Sequence, residues 1–356
     1  MAAKLVKRNA QMPKTRQEST FSSGGETCAA WLYPVLSDPG PRPIIVMAHG
    51  LTGTRRDRLN SFAERFAAGG ITALVFDHRG FGDSTGEPDL FDPARQLEDW
   101  RSAIAFARSL PNIDRGRVAT FGSSLGGGNA LAAAAEDPLI AAAISQVPFL
   151  DMSQAFANTR EVAEKMHAVA AERGFLPAVG QPNEAAFINA PGAEAGWRRV
   201  VAIGDESRWR NRVSAAWLLE SPYHVIQHAD SLHCPWLVCV AGNDQVATPA
   251  LAIDAARRAP KGELCIYPDI DHFDIYDGPP HEAVVADELA FLSRHLLGRT
   301  IHGIPKAGSV FSRVYVPPKS AAQNGDGHSE KVSQATSVAP DDGVTALTQL
   351  GLIKAV

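Results

Sequence analysis

The chain has 356 residues, of which 45% are hydrophobic and 21% charged, with a formal net charge of −5. That is enough apolar material for a sizeable core and more length than one compact domain needs, so an accessory segment or tail is expected. The scattered, slightly acidic charge excludes the basic footprint of a nucleic-acid binder, and no apolar run approaches the ~20 residues of a membrane span.

Residues 1–17 carry Lys4, Lys7, Arg8, Lys14 and Arg16 and no acidic group. They lack the continuous apolar stretch of a secretory signal and read as a mobile N-terminal arm. Residues 18–36 read as a hairpin turning at Gly24-Gly25. A proline-rich loop leads to IIVMAH (44–49), a β-branched run of the kind found in a buried strand, followed by His49-Gly50-Leu51-Thr52-Gly53. Residues 58–69 have helical spacing, ITALVF (71–76) is a second buried strand, and DHRGFGDS (77–84) follows it. The spacing predicts a helix over 97–110 and a third strand at RVATFG (117–122).

FGSSLGGG (121–128) then joins that strand to the alanine-rich helix LGGGNALAAAAE. In strand–turn–helix context, G-x-S-x-G places a nucleophile on a strained elbow that closes only if the residues two before and two after it are small. Around Ser124 these are Gly122 and Gly126; around Ser123 they are Phe121 and Leu125. Ser124 is therefore the expected nucleophile and Ser123 a small packing residue beside it.

After a further apolar run ending near 150, strand–helix alternation stops. Residues 151–232 read as helical and irregular, with no sheet assigned. Alternation resumes at CPWLVCVAG (234–242), a helix at 251–259, ELCIYP (263–268) and a last helix at 282–296. Repeated βα units imply an α/β fold, a mostly parallel sheet with helices on both faces. The domain reading is an arm (1–17), a core in two parts (18–150 and 233–298), a helical cap insertion (151–232) and a C-terminal tail (299–356). The tail holds a polar, linker-like stretch (317–343) and a short apolar-periodic end that could dock as a helix.

A serine hydroxyl needs a base, a group to orient the base and donors for the developing oxyanion. In this topology the acid precedes the base, each just past a strand. Asp244, in VAGNDQVATP, and His272, in YPDIDHFDIY, satisfy that order. Asp269, Asp271 and Asp274 compete as the acid, but neighbours in a loop seldom face one another. His224, His228 and His233 lack the spacing and acidic companions of a metal site. The oxyanion hole is expected from the backbone N–H groups of Leu125 and Leu51, with Gly50 freeing the backbone to turn and His49 holding the loop. Of the four cysteines, Cys234, Cys239 and Cys265 lie in or beside apolar runs and read, like Cys28, as reduced thiols of a cytoplasmic protein.

Taken in order, HGLTG, DHRGFGDS, GSSLGG, GNDQVATP and DHFDIY resemble the α/β-hydrolase family over about residues 18–298, in its serine-nucleophile branch. The insertion, with APGAEAGWRRV and SRWRNRV, is similar to bacterial acyl-esterase and dipeptidyl-peptidase-like hydrolases. The resemblance implies a Ser124–Asp244–His272 triad acting through an acyl-enzyme on a small-molecule ester, lactone or other acyl substrate, without metal or cofactor. Ser124 disfavours the members that use an aspartate or a cysteine nucleophile.

A thioesterase, acyltransferase, peptidase or amidase would use the same three residues, and a non-catalytic binding module is a third reading. Trp197, Trp209 and Trp217 are the candidate substrate-binding residues of the cap, among aromatics that include Phe156, Phe175 and Phe187. Arg198, Arg199, Arg208, Arg210 and Arg212 either receive an acidic substrate or form a salt-bridged helix face, the second being favoured. Whether the chain forms a homo-oligomer is left open.

Overall fold

β1 (Gln17–Ser23) and β2 (Glu26–Tyr33) form the expected hairpin, with Ser23 opposite Glu26 across the Gly24-Gly25 turn. Both glycines have positive φ, 52° and 84°, a conformation other residues adopt only with strain. The computed structural model describes residues 16–35, 40–152, 160–201, 208–214, 223–299 and 314–318. The short-terminal-helix reading (344–356), nearly all of the linker-like stretch and residues 1–15 of the arm lie outside these residues.

The next elements alternate as expected: β3 (Arg42–Ala48), α1 (Leu59–Ala68), β4 (Thr72–Phe76), α2 (Pro93–Ser109), β5 (Ile113–Ser123), α3 (Leu125–Glu136) and β6 (Ile140–Gln146). Helix α2 begins four residues before its apolar periodicity does. Asp92 caps it, accepting from the N–H groups of Ala94 (2.8 Å) and Arg95 (3.2 Å), and Pro93 pre-sets the first turn.

Between β6 and the next core strand lie α4 (Arg160–Arg173), β7 (Phe175–Leu176), α5 (Ala193–Val201) and β8 (Val213–Ser214), with β7 and β8 paired antiparallel. The core resumes with β9 (Trp236–Ala241), α6 (Pro249–Arg258), β10 (Gly262–Tyr267) and α7 (Gly278–Leu296). β11 (Val314–Val316) then pairs antiparallel with β10. That strand is absent from the sequence reading. It is three residues long, and its partner precedes it by about 50 positions.

The main sheet runs β1-β2-β4-β3-β5-β6-β9-β10-β11, parallel from β4 through to β10. Both faces are covered, which is why the strands read as continuous apolar runs. Ile44, Val46 and Ala48 of β3 face one way, with Trp100 of α2, Leu131 of α3 and Ile253 of α6. Ile45 and Met47 face the other way, with Phe62 and Phe66 of α1 and Val284 and Phe291 of α7. A third apolar cluster includes Leu51, Leu125, Met152, Leu176, Val213 and Tyr223, tying the 151–232 region to the loops beyond the strand ends. All four cysteines are buried and outside any disulfide, placed as small hydrophobes are. No helix among the described residues is long and apolar enough to cross a membrane.

At the outer end of the sheet, Glu263 of β10 is buried and accepts from Arg294 (2.5 Å), His295 (2.9 Å) and the Tyr315 hydroxyl (2.7 Å). The β11 strand is thus fixed to the core by a side chain as well as by its ladder.

Glu288 of α7 is fully buried, and neither carboxyl oxygen has a hydrogen-bond partner among the described residues. Burial, reinforced by Asp287, holds its carboxyl well above the ordinary range. Near pH 4 both folded and unfolded chains keep the proton and no penalty arises. As pH rises, the unfolded chain ionises while the folded one resists, so stability falls. Glu288→Gln is expected to leave the melting temperature near pH 4 almost unchanged and to raise it at pH 8. At roughly 1–2 °C per kcal/mol for a chain of this size, the shift is readable by calorimetry. An equal shift at both pH values would contradict the assignment.

Candidate active site

Ser124 sits where β5 ends and α3 begins, with φ 58° and ψ −127°. A Cβ on Gly122 would lie 1.8 Å from the Gly126 carbonyl oxygen, and one on Gly126 would lie 2.5 Å from that of His49. Neither position tolerates a side chain, so the strained turn exists only because both are glycine. Its backbone is held by Ser124 N–H donating to Gln146 O (2.9 Å) and by Gly127 and Phe149 N–H groups donating to Ser124 O (2.8 and 3.0 Å).

Ser123 points the other way. Its hydroxyl is fully buried between the Tyr276 hydroxyl (2.6 Å) and the Gln146 side-chain amide, which donates to it at 2.9 Å.

The loops after β9 and β10 bring Asp244 and His272 to the same end of the sheet. His272 Nε2 lies 3.1 Å from Ser124 Oγ, and its Nδ1 lies 2.7 Å from Asp244 Oδ2. The other Asp244 oxygen accepts from the N–H groups of Val246 (2.7 Å) and Ala247 (2.8 Å). His272 and Asp244 are both buried, 1% and 5% exposed.

The rival carboxylates are otherwise engaged. Asp271 accepts from Phe273 and Asp274 N–H groups, and Asp274 pairs with Arg199. His224 pairs with Asp151, and His233 contacts the Ile140 carbonyl.

The loop after β3 lies directly on the elbow. A Cβ on Gly50 would come within 2.8 Å of Ser124 Cβ and 3.1 Å of Leu125 N. The Gly50 N–H donates to His49 Nδ1 (2.8 Å), and Gly53 N–H returns to Gly50 O (2.9 Å). Burial holds the His49 imidazole down to about 4, so it is neutral at physiological pH. Its ring stacks on Tyr276 (5.5 Å, 13°) and meets Trp197 edge-on. His49 is therefore a brace for the loop. Leu51 and Leu125 line one cavity with Ser124. As the first residue of α3, Leu125 has an N–H with no acceptor inside the helix.

The tryptophans are placed differently from the sequence expectation. Trp197 is 2% exposed and packs against His49, Phe273 and Trp209. Helix α5 is amphipathic and turns Trp197 and Val200 inward, so this indole supports the loop from behind. Trp209 donates from Nε1 to Thr52 Oγ1 at 2.8 Å, fastening residues 208–214 to the loop that carries Leu51. Neither indole lines the cavity at Ser124, and Trp217 lies outside the described residues.

The cavity holds about 160 Å³, and its apolar walls include Phe149, Met152, Phe187 and Ile188. Phe149 and Met152 directly follow β6, the strand beside the nucleophile strand. Ligands of open α/β sheets collect outside such carboxyl ends, and that signal could have found them.

Each arginine of the 198–212 group has an acidic partner: Arg198 with Glu194, Arg199 with Asp274, Arg208 with Asp83, and Arg210 and Arg212 with Asp89. The expected ion pairs are present, but a helix face accounts only for Arg198 and Arg199, on α5; Arg208, Arg210 and Arg212 precede β8 in irregular chain. The DHRGFGDS turn is likewise scaffolding. Asp77 is buried and accepts from the Arg55 backbone and guanidinium and from Asp83 N–H, while Arg79 is held on Asp99 (2.5 Å). Gly82, at φ 58°, lies against the Asp77 carboxylate with no room for a Cβ.

A mixed nine-stranded sheet of this order, with its loops converging on a serine elbow, defines an α/β hydrolase. Within that class the chain belongs to the family described as serine aminopeptidase, S33, whose model matches residues 39–277. It is 40% identical over 296 residues to the quorum-quenching protein AidA of Acinetobacter baumannii, an alignment covering 80% of this chain and 96% of that one. The polyketide transferase af380 of Aspergillus fumigatus is 28% identical over 282 residues, 75% of this chain and 93% of the relative. Among solved structures, the α/β hydrolase GrgF from a Penicillium species superposes with a TM-score of 0.68 at 24% identity. That match covers 79% of this chain and 99% of the other, a likeness of fold.

Proposed function

We propose that the protein is a serine hydrolase that cleaves carboxylic esters or lactones through an acyl-enzyme. The observation that carries this reading is the continuous chain of contacts from Ser124 Oγ to His272 (3.1 Å) and on to Asp244 (2.7 Å). With Asp244 ionised, His272 donates from Nδ1, which leaves Nε2 as the acceptor facing the serine hydroxyl.

Ser124 Oγ attacks the acyl carbonyl as His272 Nε2 takes its proton. The Leu51 and Leu125 N–H groups receive the developing oxyanion, and the imidazolium, steadied by Asp244, protonates the departing alkoxide. In a lactone that alkoxide stays attached to the acyl group. Water, activated by the same imidazole, then attacks the acyl-enzyme and restores the serine. No step needs a metal or cofactor.

In the same reading, residues 18–150 and 233–298 form the catalytic core. Residues 151–232 cap it, contributing Phe187 and Ile188 to the pocket wall, and residues 1–17 and 299–356 are accessory apart from Gln17 of β1 and the sheet strand β11. The relative named a quorum-quenching protein, 40% identical to this chain, is compatible with this reading. A second reading, thioester cleavage or acyl transfer, has support from the relative named a polyketide transferase and uses the same three residues.

The test is intact mass after treatment with a fluorophosphonate, followed by peptide mapping. One adduct on Ser124 is expected, with turnover of an ester and lactone panel exceeding that of matched thioesters and amides. A folded protein that takes no adduct would reject the assignment.

A further inference from the structure

The family's description speaks of an aminopeptidase, an enzyme that must accept an ammonium group next to the scissile carbonyl. On the serine-hydrolase reading above, we infer that this site excludes such substrates and takes only acyl groups uncharged at that position.

The argument is local. A substituent on the carbon next to a carbonyl cannot move more than a bond or two from the reacting centre. Whatever the rest of the substrate does, that group must therefore lie in the cavity at Ser124. Among the described residues lining that cavity, none is charged. Phe149, Met152, Phe187 and Ile188 are apolar, and Asn189 and Gln245 offer neutral amides.

The carboxylates nearby are already committed. Asp244 faces His272 and two backbone N–H groups. Asp151, beside Met152 in sequence, faces His224 at 2.9 Å. Asp57, behind the Leu51 loop, accepts from the Thr54 N–H and hydroxyl. Asp89 is bound by Arg210 and Arg212. His49, the other titratable group behind the elbow, is buried.

An ammonium entering this cavity would lose its water and gain no counter-charge from the described lining residues, a large cost for any ion. The room available, about 160 Å³, suits a group of roughly benzene size, for which an apolar cavity of about 150 Å³ suffices. The assigned class is thus esters or lactones of compact, neutral acyl groups.

The test uses three phenyl esters: butanoate, 2-aminobutanoate and N-acetyl-2-aminobutanoate. The acetylated ester has the amine's position filled but its charge removed, which separates charge from bulk. At pH 6 the free-amine ester is expected to show kcat/KM up to about 100-fold below the acetylated one, because only about 1% of an amine of pKa about 8 is then neutral.

The gap should narrow as pH rises through the amine's own pKa, about 8 for an α-amino group, because the neutral amine is then abundant. Rates for the amine ester within threefold of the acetylated one at pH 6, or a gap that does not close at pH 9, would overturn the inference while leaving the serine mechanism standing. If no ester is turned over and a fluorophosphonate leaves Ser124 unmodified, the serine mechanism itself falls, and this inference with it.

Discussion

Ser124→Ala is expected to lower kcat on an ester by about 10⁵–10⁶-fold, the loss seen when a triad nucleophile is removed from an otherwise intact site. Ser123→Ala should retain at least a tenth of the wild-type rate. The adjacent serines separate cleanly because the elbow turns only one toward the cavity. Ser124 Oγ faces His272 at 3.1 Å, whereas Ser123 Oγ is sealed between Tyr276 and Gln146. Losing the buried Ser123 hydroxyl leaves two polar groups under-bonded and costs about 1–3 kcal/mol of stability, not chemistry. The discriminating measurement is steady-state kinetics on both variants, with circular dichroism to confirm folding. Equal collapse of kcat in both would mean that the Ser123–Tyr276 contact takes part in assembling the site.

Asp244→Asn should cost about 10⁴-fold in kcat with little change in fold. The direction follows from the two backbone donors on Asp244 Oδ1, Val246 and Ala247 N–H. In the variant these donors select the amide oxygen, which turns the NH₂ toward His272 Nδ1. That nitrogen must then accept, its proton moves to Nε2, and the imidazole presents an N–H where the serine hydroxyl requires an acceptor. Raising the pH cannot correct a tautomer, so neutral-pH activity should be lost without being recovered at pH 8. Hydroxide-assisted turnover would emerge only well above that. Kinetics from pH 6 to 10 checks both features. A variant that keeps more than a tenth of its activity would show that another carboxylate orients His272.

Local sequence carried much of this site. The two glycines around Ser124 select it over its neighbour because the clash distances at Gly122 and Gly126 are backbone distances that no side chain can relieve. Asp244 and His272 could be located because each follows a strand whose apolar run is unmistakable, and both strands sit in the parallel sheet. What stayed hidden depends on long-range packing. Trp197 and Phe187 are both aromatics of one irregular region, yet Trp197 turns onto the His49 loop and Phe187 reaches the cavity. Composition cannot tell which side of a short element faces a loop contributed by residues about 150 positions earlier. The early start of α2 was readable in principle, since Asp92-Pro93 is a capping signature that apolar periodicity passes over.

The two margins of the sheet are protected by opposite means. At one, β1 presents Gln17, Glu18, Thr20 and Ser22 to solvent, a polar border that discourages another chain from joining. At the other, β10 is the largely apolar hexapeptide GELCIY, and among the described residues the short β11 covers its free backbone groups. A protein trimmed at the end of α7 would keep every group discussed for catalysis. It would nonetheless expose an unsatisfied, hydrophobic strand margin and strip Glu263 of its tyrosine partner. Such a truncation invites intermolecular strand addition and precipitation. Val314–Val316 thus serves the molecule as a selvage, keeping a finished cloth from unravelling into its neighbours.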